Sequence, residues 1–248
     1  MERMIYLAMN GAREVMLRQA NNSHNLANLD TTGFKADLDN FRSLPVYGPG
    51  HPTRVYVEDE RAGVDLSAGQ IMTTGRDLDV AIDGDGFMAV QNIDGSEGYT
   101  RAGDLRVTAE GLLQTGAGHP VMGDDGPIAL PPFSKLEIGS DGSLSILPAG
   151  QTGGPLAVID RIRLVRLDER DVVKADNGVL TLADGAETPA PDASVSLVSG
   201  ALESSNVNPI EAMVTMIELS RQFEMQVKMM KAAEDNDAAA DKLLQLPS

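Results

Sequence analysis

Near the start of the chain, Met4, Ile5, Ala8, Met9, Ala12, Val15 and Met16 recur at three- and four-residue steps, the spacing that lines one face of a helix. Asn21, Asn22, Asn25 and Asn28 dilute this stripe while Leu26 and Leu29 keep its phase. Gly33 is suited to end the helix, because glycine takes the left-handed conformation without steric cost. At the other end, Asn208 can cap a helix whose first residue is Pro209, with Glu211 at the third helical position, within reach of the cap's backbone. Met216, Phe223, Met230 and Leu244 then repeat in sevens, with Asp237 interrupting the register. Met213, Leu219, Val227, Ala233 and Ala240 flank that seam, a coiled-coil-like pattern. A helix of roughly 35–40 residues is about 50–60 Å long, more than a small domain covers alone. The pattern therefore predicts that other helices pack on it.

Between these ends the period switches to two. Six Asp-Gly pairs, together with Asn177-Gly178 and Glu110-Gly111, punctuate short apolar runs. Such pairs predict tight hairpin turns in which both central residues take positive φ. Asp79–Ile82, Phe87–Gln91, Leu105–Thr108, Lys135–Ile138, Ser143–Leu147 and Val179–Leu182 read as strands. Arg161 to Leu164 alternates cleanly, one face basic and the other aliphatic. With nine aromatic residues in the whole chain, the core of this region is expected to be mostly Val, Leu and Ile. The expected organisation is a helix over residues 1–35, an extended connector over 36–69 (Pro45, Gly48, Pro49, Gly50, Pro52), an antiparallel all-β domain over 70–203, and a helix over 204–248.

The charge balance sharpens this division. The 248 residues carry a formal charge of −17. Residues 1–35 account for +1 and residues 205–248 for −3, which leaves −15 on the middle. Near-neutral ends can pack on copies of themselves, whereas a strongly acidic centre repels its like and stays in water. The same balance excludes nucleic acid as a partner. No cysteine is present, which removes disulfides, thiolate metal sites and thiol catalysis, and three isolated histidines leave little for a relay or a metal. No apolar run approaches the roughly 18–20 residues that span a bilayer. The opening residues, interrupted by Glu2 and Glu14, do not read as a cleaved signal.

The chemistry-bearing residues have ordinary explanations. Asp77, Asp79, Asp83 and Asp85 superficially resemble a calcium loop, but the spacing of an EF-hand is missing and turn chemistry accounts for them. No pair of carboxylates is singled out for catalysis. The run from Asn21 to Asn28 is either a fraying helix end or an amide-rich face that hydrogen-bonds across an assembly. Neither catalytic residues nor a cofactor are expected.

The run from Asn22 to Lys35, ending Thr32-Gly33-Phe34-Lys35, closely resembles the N-terminal motif of bacterial flagellar basal-body rod and hook proteins. Leu78 to Phe87, Tyr99 to Asp104 and Gly118 to Gly123 look like central segments of that family, and Glu203 to Met213 is similar to the start of its C-terminal helix. The opening Ile5 to Ala12 and the stretch Arg221 to Gln226 look most like the proximal-rod branch. Ala102 departs from the Asn usual there, and Leu29-Asp30 from commoner residues.

The resemblance implies an α+β fold, with a mostly antiparallel β central domain and long N- and C-terminal helices forming a coiled-coil-like inner layer. It implies a structural subunit that self-assembles through those helices into a torque-transmitting shaft, with ends that become ordered on docking. Its partners would be other rod subunits and the flagellar type III export apparatus, which would deliver it without a cleaved signal. The residues expected to carry assembly are Asn25, Leu26, Asn28, Gly33, Phe34 and Lys35 at the N-terminal junction, and Asn208, Met213, Met216, Phe223, Val227 and Met230 on the C-terminal helix. A distal-rod subunit of the same family is the alternative. An oligomeric secreted acidic β-domain that binds a ligand, or a carboxylate hydrolase, is the competing class.

Overall fold

A computed structural model describes residues 2–45, 47, 55–59, 63–150, 154–175 and 177–244. The connector positions Gly48, Pro49, Gly50 and Pro52, and the side chain of Leu244, lie outside that description. The fold is α+β, with two helices, α1 (Glu2–Ala27) and α2 (Pro209–Leu244), and many antiparallel strands. It divides into a helical unit (Met1–Ala27, Asp37–Gly63, Asn208–Ser248) and a β unit (Asn28–Ala36, Val64–Val207).

In the helical unit α1 and α2 pack together. At 1.5 Å per residue, their 26 and 36 residues make lengths of about 39 and 54 Å. Asn22 Nδ2 donates to the Ala212 carbonyl at 2.8 Å, and a Cβ on Gly11 would lie 2.9 Å from the Gln226 amide. These two contacts make the helices antiparallel. Part of the cover that α2 was expected to need from other helices therefore comes from within the chain, because α1 takes one face of it.

The helix expected to run toward Gly33 ends at Ala27. Its asparagines turn away to partners off the helix: Asn25 exchanges two hydrogen bonds with the backbone of Asp37, at 3.0 and 2.9 Å, and Asn28 Oδ1 accepts from Thr31 Oγ1 at 3.1 Å. Short polar side chains that satisfy backbone locally compete with helix continuation. The segment read as an extended connector is also more structured than expected. Phe41–Pro45 pairs antiparallel with Val55–Asp59, and this ribbon packs on α1.

The β unit is built on a five-stranded antiparallel sheet in the order Leu164–Val165, Phe87–Gln91, Glu97–Thr100, Leu180–Leu182, Val172–Lys174. A three-stranded sheet joins Phe133–Ile138, Ser143–Pro148 and Ala157–Arg161. Two-stranded ribbons pair Val80–Asp83 with Ser196–Ser199 and Ile71–Thr73 with Ala201–Glu203. Successive residues of Phe87–Gln91 feed two separate cores. Met88 packs among Leu105, Leu113, Leu144, Ile146 and Ile162, while Phe87 and Ala89 pack with Tyr99, Val165 and Leu180. Both faces of this strand are covered, so it is buried along its length. Aliphatic residues dominate both cores, with Phe87 and Tyr99 the aromatic members of the second.

Five turns share one geometry. At Asn92–Gly95, Thr108–Gly111, Thr115–Gly118, Gly139–Gly142 and Ala175–Gly178 the glycine N–H donates to the carbonyl three residues back at 2.9–3.0 Å. The first residue's N–H then reaches the carbonyl just past the glycine at 2.8–2.9 Å. Only the glycine has positive φ, 80–92° at these five sites, and no other residue type does among the described residues. At Asp94-Gly95 and Asp141-Gly142, two of the six Asp-Gly pairs, the expected paired-positive-φ hairpin is thus replaced by a four-residue turn closed by a left-handed glycine. Aspartate and asparagine contribute through their side chains instead. Asp94, Asp141 and Asn177 each accept the backbone N–H two residues on, at 2.9–3.2 Å.

Candidate assembly faces and the buried junction

Three segments that are far apart in sequence meet inside the β unit. Gly33, at φ +64°, donates its N–H to the Glu203 carbonyl at 2.8 Å, and any Cβ there would lie 2.3 Å from the Arg101 backbone. Only glycine satisfies both constraints. Around this contact Lys35, Arg101 and Glu203 are 3%, 2% and 1% exposed. The Glu203 carboxylate receives Lys35 Nζ at 2.8 Å, Arg101 at 3.0 Å and the Gly69 N–H at 2.7 Å. Lys35 also donates to the Ser67 carbonyl at 2.5 Å, and Arg101 donates to the carbonyls of Gly86 and Gly84. Two cations thus share one carboxylate, and backbone carbonyls take their remaining protons. Burial pushes the Lys35 ammonium below its ordinary pKa and Arg101 pushes the same way, while the bond and charge of Glu203 oppose them.

The neighbouring backbone is tied just as closely. The Asn206 side chain accepts the Ala36 N–H at 2.8 Å and donates to the Asp65 carbonyl at 2.9 Å, and the Asp65 N–H donates to the Ala36 carbonyl at 2.9 Å. Phe34 is buried beneath Lys174, whose Nζ stands 3.6 Å from the ring centre and also donates to the Lys35 carbonyl.

In the helical unit α1 presents three faces. Ala8, Ala12 and Val15 are buried, with Ile5, Gln19, Asn22 and Leu26 half-buried in the same phase; this is the α2 side. A second stripe is polar and holds the ribbon. Asn10 Oδ1 accepts the Val57 N–H at 3.1 Å, Arg18 lies over Phe41 and 3.7 Å from Asp39, and Asn21 donates to Asp39 at 2.5 Å. His24 meets Asp37 at 2.7 Å on the same side. Glu14 falls in this stripe, 4% exposed, with neither carboxylate oxygen hydrogen-bonded. Arg13 Nε comes to 3.3 Å, but without hydrogen-bond alignment and with most of its side chain in solvent. The third face is open and largely apolar: Tyr6, Met9, Met16 and Leu17 are 41–60% exposed.

On α2, Asn208 Oδ1 accepts the N–H groups of Ile210 and Glu211 at 3.0 and 3.4 Å, which caps the helix. Ala212, Leu219 and Ala233 are buried, and Met216, Phe223, Gln226 and Met230 are half-buried between them. These positions alternate in steps of four and three. Away from this face, Ile210, Met213, Val214 and Ile217 form a second apolar stripe at i, i+3, i+4 and i+7, 50–73% exposed. Farther along, Met225, Val227 and Met229 are 40–56% exposed.

The residues singled out from sequence are thereby distributed over different environments. Met216, Phe223 and Met230 lie on the buried side of α2, whereas Met213 and Val227 lie in the open. Gly33, Phe34 and Lys35 are buried in the β unit. Asn25, like Asn21 and Asn22, bonds within its own chain, an outcome neither reading of the amide run anticipated. Arg101, Glu203 and Asn206 were missed as partners. Strand alternation does place Arg101 on the face of Tyr99, and Glu203 on that of Ala201, so two opposite charges pointing inward were the available signal.

A crevice of about 250 Å³ in the β unit is lined by Asp141, Arg161, Arg163 and Asp192. Most of its charges are already engaged, Arg161 with Asp141, Arg163 with Glu97 and Asp192 with the Ser194 N–H, and Asp124 completes the lining. Asp79 of the acidic turns is likewise held by Arg76 and Thr74. No cluster of three or more His, Asp or Glu side chains suited to a metal occurs among the described residues.

Two family models match this chain. One, described as flagellar basal body rod FlgEFG protein C-terminal, covers residues 198–243, and the other, flagellar hook protein FlgE/F/G D1 domain, covers residues 81–146. The chain belongs to the flagellar basal-body rod protein family. Among its relatives, the flagellar basal-body rod protein FlgF of Salmonella typhimurium is 40% identical over 251 residues, spanning 99% of this chain and 100% of that protein. FlgF of Escherichia coli is 41% identical over 253 residues with the same coverage. The flagellar basal-body rod protein FlgG of Bacillus subtilis is 29% identical over 260 residues, spanning 95% of this chain and 96% of that protein.

Proposed function

We propose that the chain is a structural subunit of the proximal flagellar rod, and that its helical unit packs with the helices of neighbouring rod subunits to form the inner layer of a torque-carrying shaft. The single observation behind this reading is that the α1–α2 pair leaves an apolar stripe open on each helix, in a chain related along its whole length to rod proteins. Helix pairs with unpartnered apolar faces gain most of their rigidity from what covers them. Contacts repeated without closing a ring extend into a helical array. In that array α1 and α2 are the candidates for coiled-coil-like packing. The buried Gly33, Phe34 and Lys35 serve assembly indirectly, by fixing the backbone on which the helices are strung. No helix among the described residues is long and apolar enough to cross a membrane; delivery through the flagellar export apparatus, without signal cleavage, completes the reading.

Paired substitutions test it. Ile217→Asp places a charge on the open stripe and should abolish swimming in a strain relying on this chain, while the purified protein keeps its circular dichroism and melting point. Phe223→Asp buries a charge against α1 and should lower helix content as well. Normal swimming with Ile217→Asp would refute the open stripe as a docking face.

A further inference from the structure

In a chain without cysteine, the thioethers of twelve methionines are the sulfur available to an oxidant. The fold places most of the exposed ones on two helices. Met4, Met9, Met16, Met213, Met225 and Met229 lie on α1 and α2 and are 40–58% exposed; in the β unit Met72, on the Ile71–Thr73 strand, is 52% exposed, and Met88, in the core, is 1% exposed. Met216 and Met230 are half-buried on the inner side of α2. Half of the sulfur is therefore concentrated on the solvent side of two helices, where leucine would give the same apolar character without its reactivity.

We propose that the open faces of α1 and α2 are oxidation sites, and that converting their methionines to sulfoxides prevents those faces from docking on a second copy of the chain. The inference rests on the docking reading above. The oxidant is a peroxide. A sulfur lone pair attacks one peroxide oxygen, the O–O bond breaks as the S–O bond forms, and the departing oxygen leaves as water after taking up a proton. Sulfur is oxidised by two electrons and the peroxide is reduced by two. The product is a strong hydrogen-bond acceptor in a stripe that docking must dehydrate, so the oxidised face opposes burial. A second copy is the occupant because the stripe Ile210–Ile217 on α2 is apolar and that on α1 is apolar but for Arg13, which stands beside Glu14, while the middle of the chain carries the acidity that keeps copies apart. Docking covers the same sulfurs, so free subunits are vulnerable and assembled ones are shielded. Reduction of the sulfoxide restores the face.

The test is sedimentation of the full-length chain over a range of concentrations, before and after hydrogen peroxide, with peptide mass mapping and circular dichroism on each sample. A variant carrying Met4→Leu, Met9→Leu, Met16→Leu, Met213→Leu, Met225→Leu and Met229→Leu keeps the helix faces apolar and removes their six reactive sulfurs. Oxygen should appear on those six residues of the unsubstituted chain and not on Met88. Self-association of the oxidised chain should weaken by about tenfold or more, with helix content retained, and the variant should associate equally before and after treatment. An oxidised chain that associates as tightly as the untreated one overturns the inference and leaves the docking reading standing. A variant that loses association on oxidation also overturns it, by assigning the effect to methionines off the open faces, Met72, Met216 and Met230 among them. A chain that is monomeric before treatment at every concentration overturns this inference, because no second copy docks, while docking on other rod subunits is decided by the swimming of Ile217→Asp.

Discussion

The β unit and the helical unit solve the same problem differently. The β unit closes on itself. Leu105, Leu113, Leu144, Ile146 and Tyr99 are buried to within 1% of complete, and its innermost charges, Lys35, Arg101 and Glu203, answer one another. The helical unit covers two sides of α1 and one of α2, with Gly11 against Gln226, and leaves Ile210, Ile217, Met16 and their neighbours in water. It also carries Glu14, a carboxylate inside the fold without a hydrogen bond. One half of the molecule is finished by its own sequence; the other is finished only by addition. The difference shows that burial of apolar surface, and not secondary-structure content, separates a self-sufficient unit from one with surface to share. Buried polar atoms without a hydrogen bond occur in both, Tyr99 Oη and Arg163 Nε in the β unit as well as Glu14 in the helical one.

Three experiments sharpen or break that contrast. The largest effect is expected from Glu203→Ala, which leaves Lys35 and Arg101 buried without their common counter-charge. Unfolding in urea should show the β unit destabilised by about 3–5 kcal/mol. A loss near zero would mean that the cations escape to solvent and that the unit is not closed as described. Glu14→Leu should act in the opposite direction. It removes an unsatisfied buried carboxylate, so helical melting should move up, by about 1–2 kcal/mol in stability; a fall would show that Glu14 is satisfied in solution.

The smallest effect comes from acid. The hydrogen bonds from Ser143, aided by Arg161, hold the Asp141 carboxyl down at about 2. A depressed carboxylate contributes stability above its ordinary range near 4, and loses it as pH falls toward 2. Because Asp141 is exposed and screened, Asp141→Asn should cost well under about 1 kcal/mol at neutral pH and flatten the acid limb between those values. A variant with an unchanged acid limb would remove this turn from the pH response.

Much of this architecture was legible where a signal is local. Phe87–Gln91 is a strand with the ends its sequence indicated, because both faces are apolar and turns flank it. Asn208 and Pro209 begin α2 as capping chemistry requires. The Asp-Gly turns were found as turns, but their type was misjudged, because loop length depends on where the flanking strands stop pairing. The long-range part was not readable. Lys35 and Glu203 are 168 residues apart, and no local pattern states that one answers the other. Phe223 and Val227 look alike in a heptad listing, yet one faces α1 and the other water. That choice belongs to the partner helix, whose own three-sided pattern had been read as a single stripe.

The Asn206 amide has a mechanical consequence. Ala36, Asp65 and Asn206 each stand within three residues of a point where the chain passes from one unit to the other, and one side chain knots all three together. Pulling any one of these passes away from the other two therefore means breaking hydrogen bonds of the Asn206 side chain or backbone. A part that must turn without stretching is well served by such a short path for force.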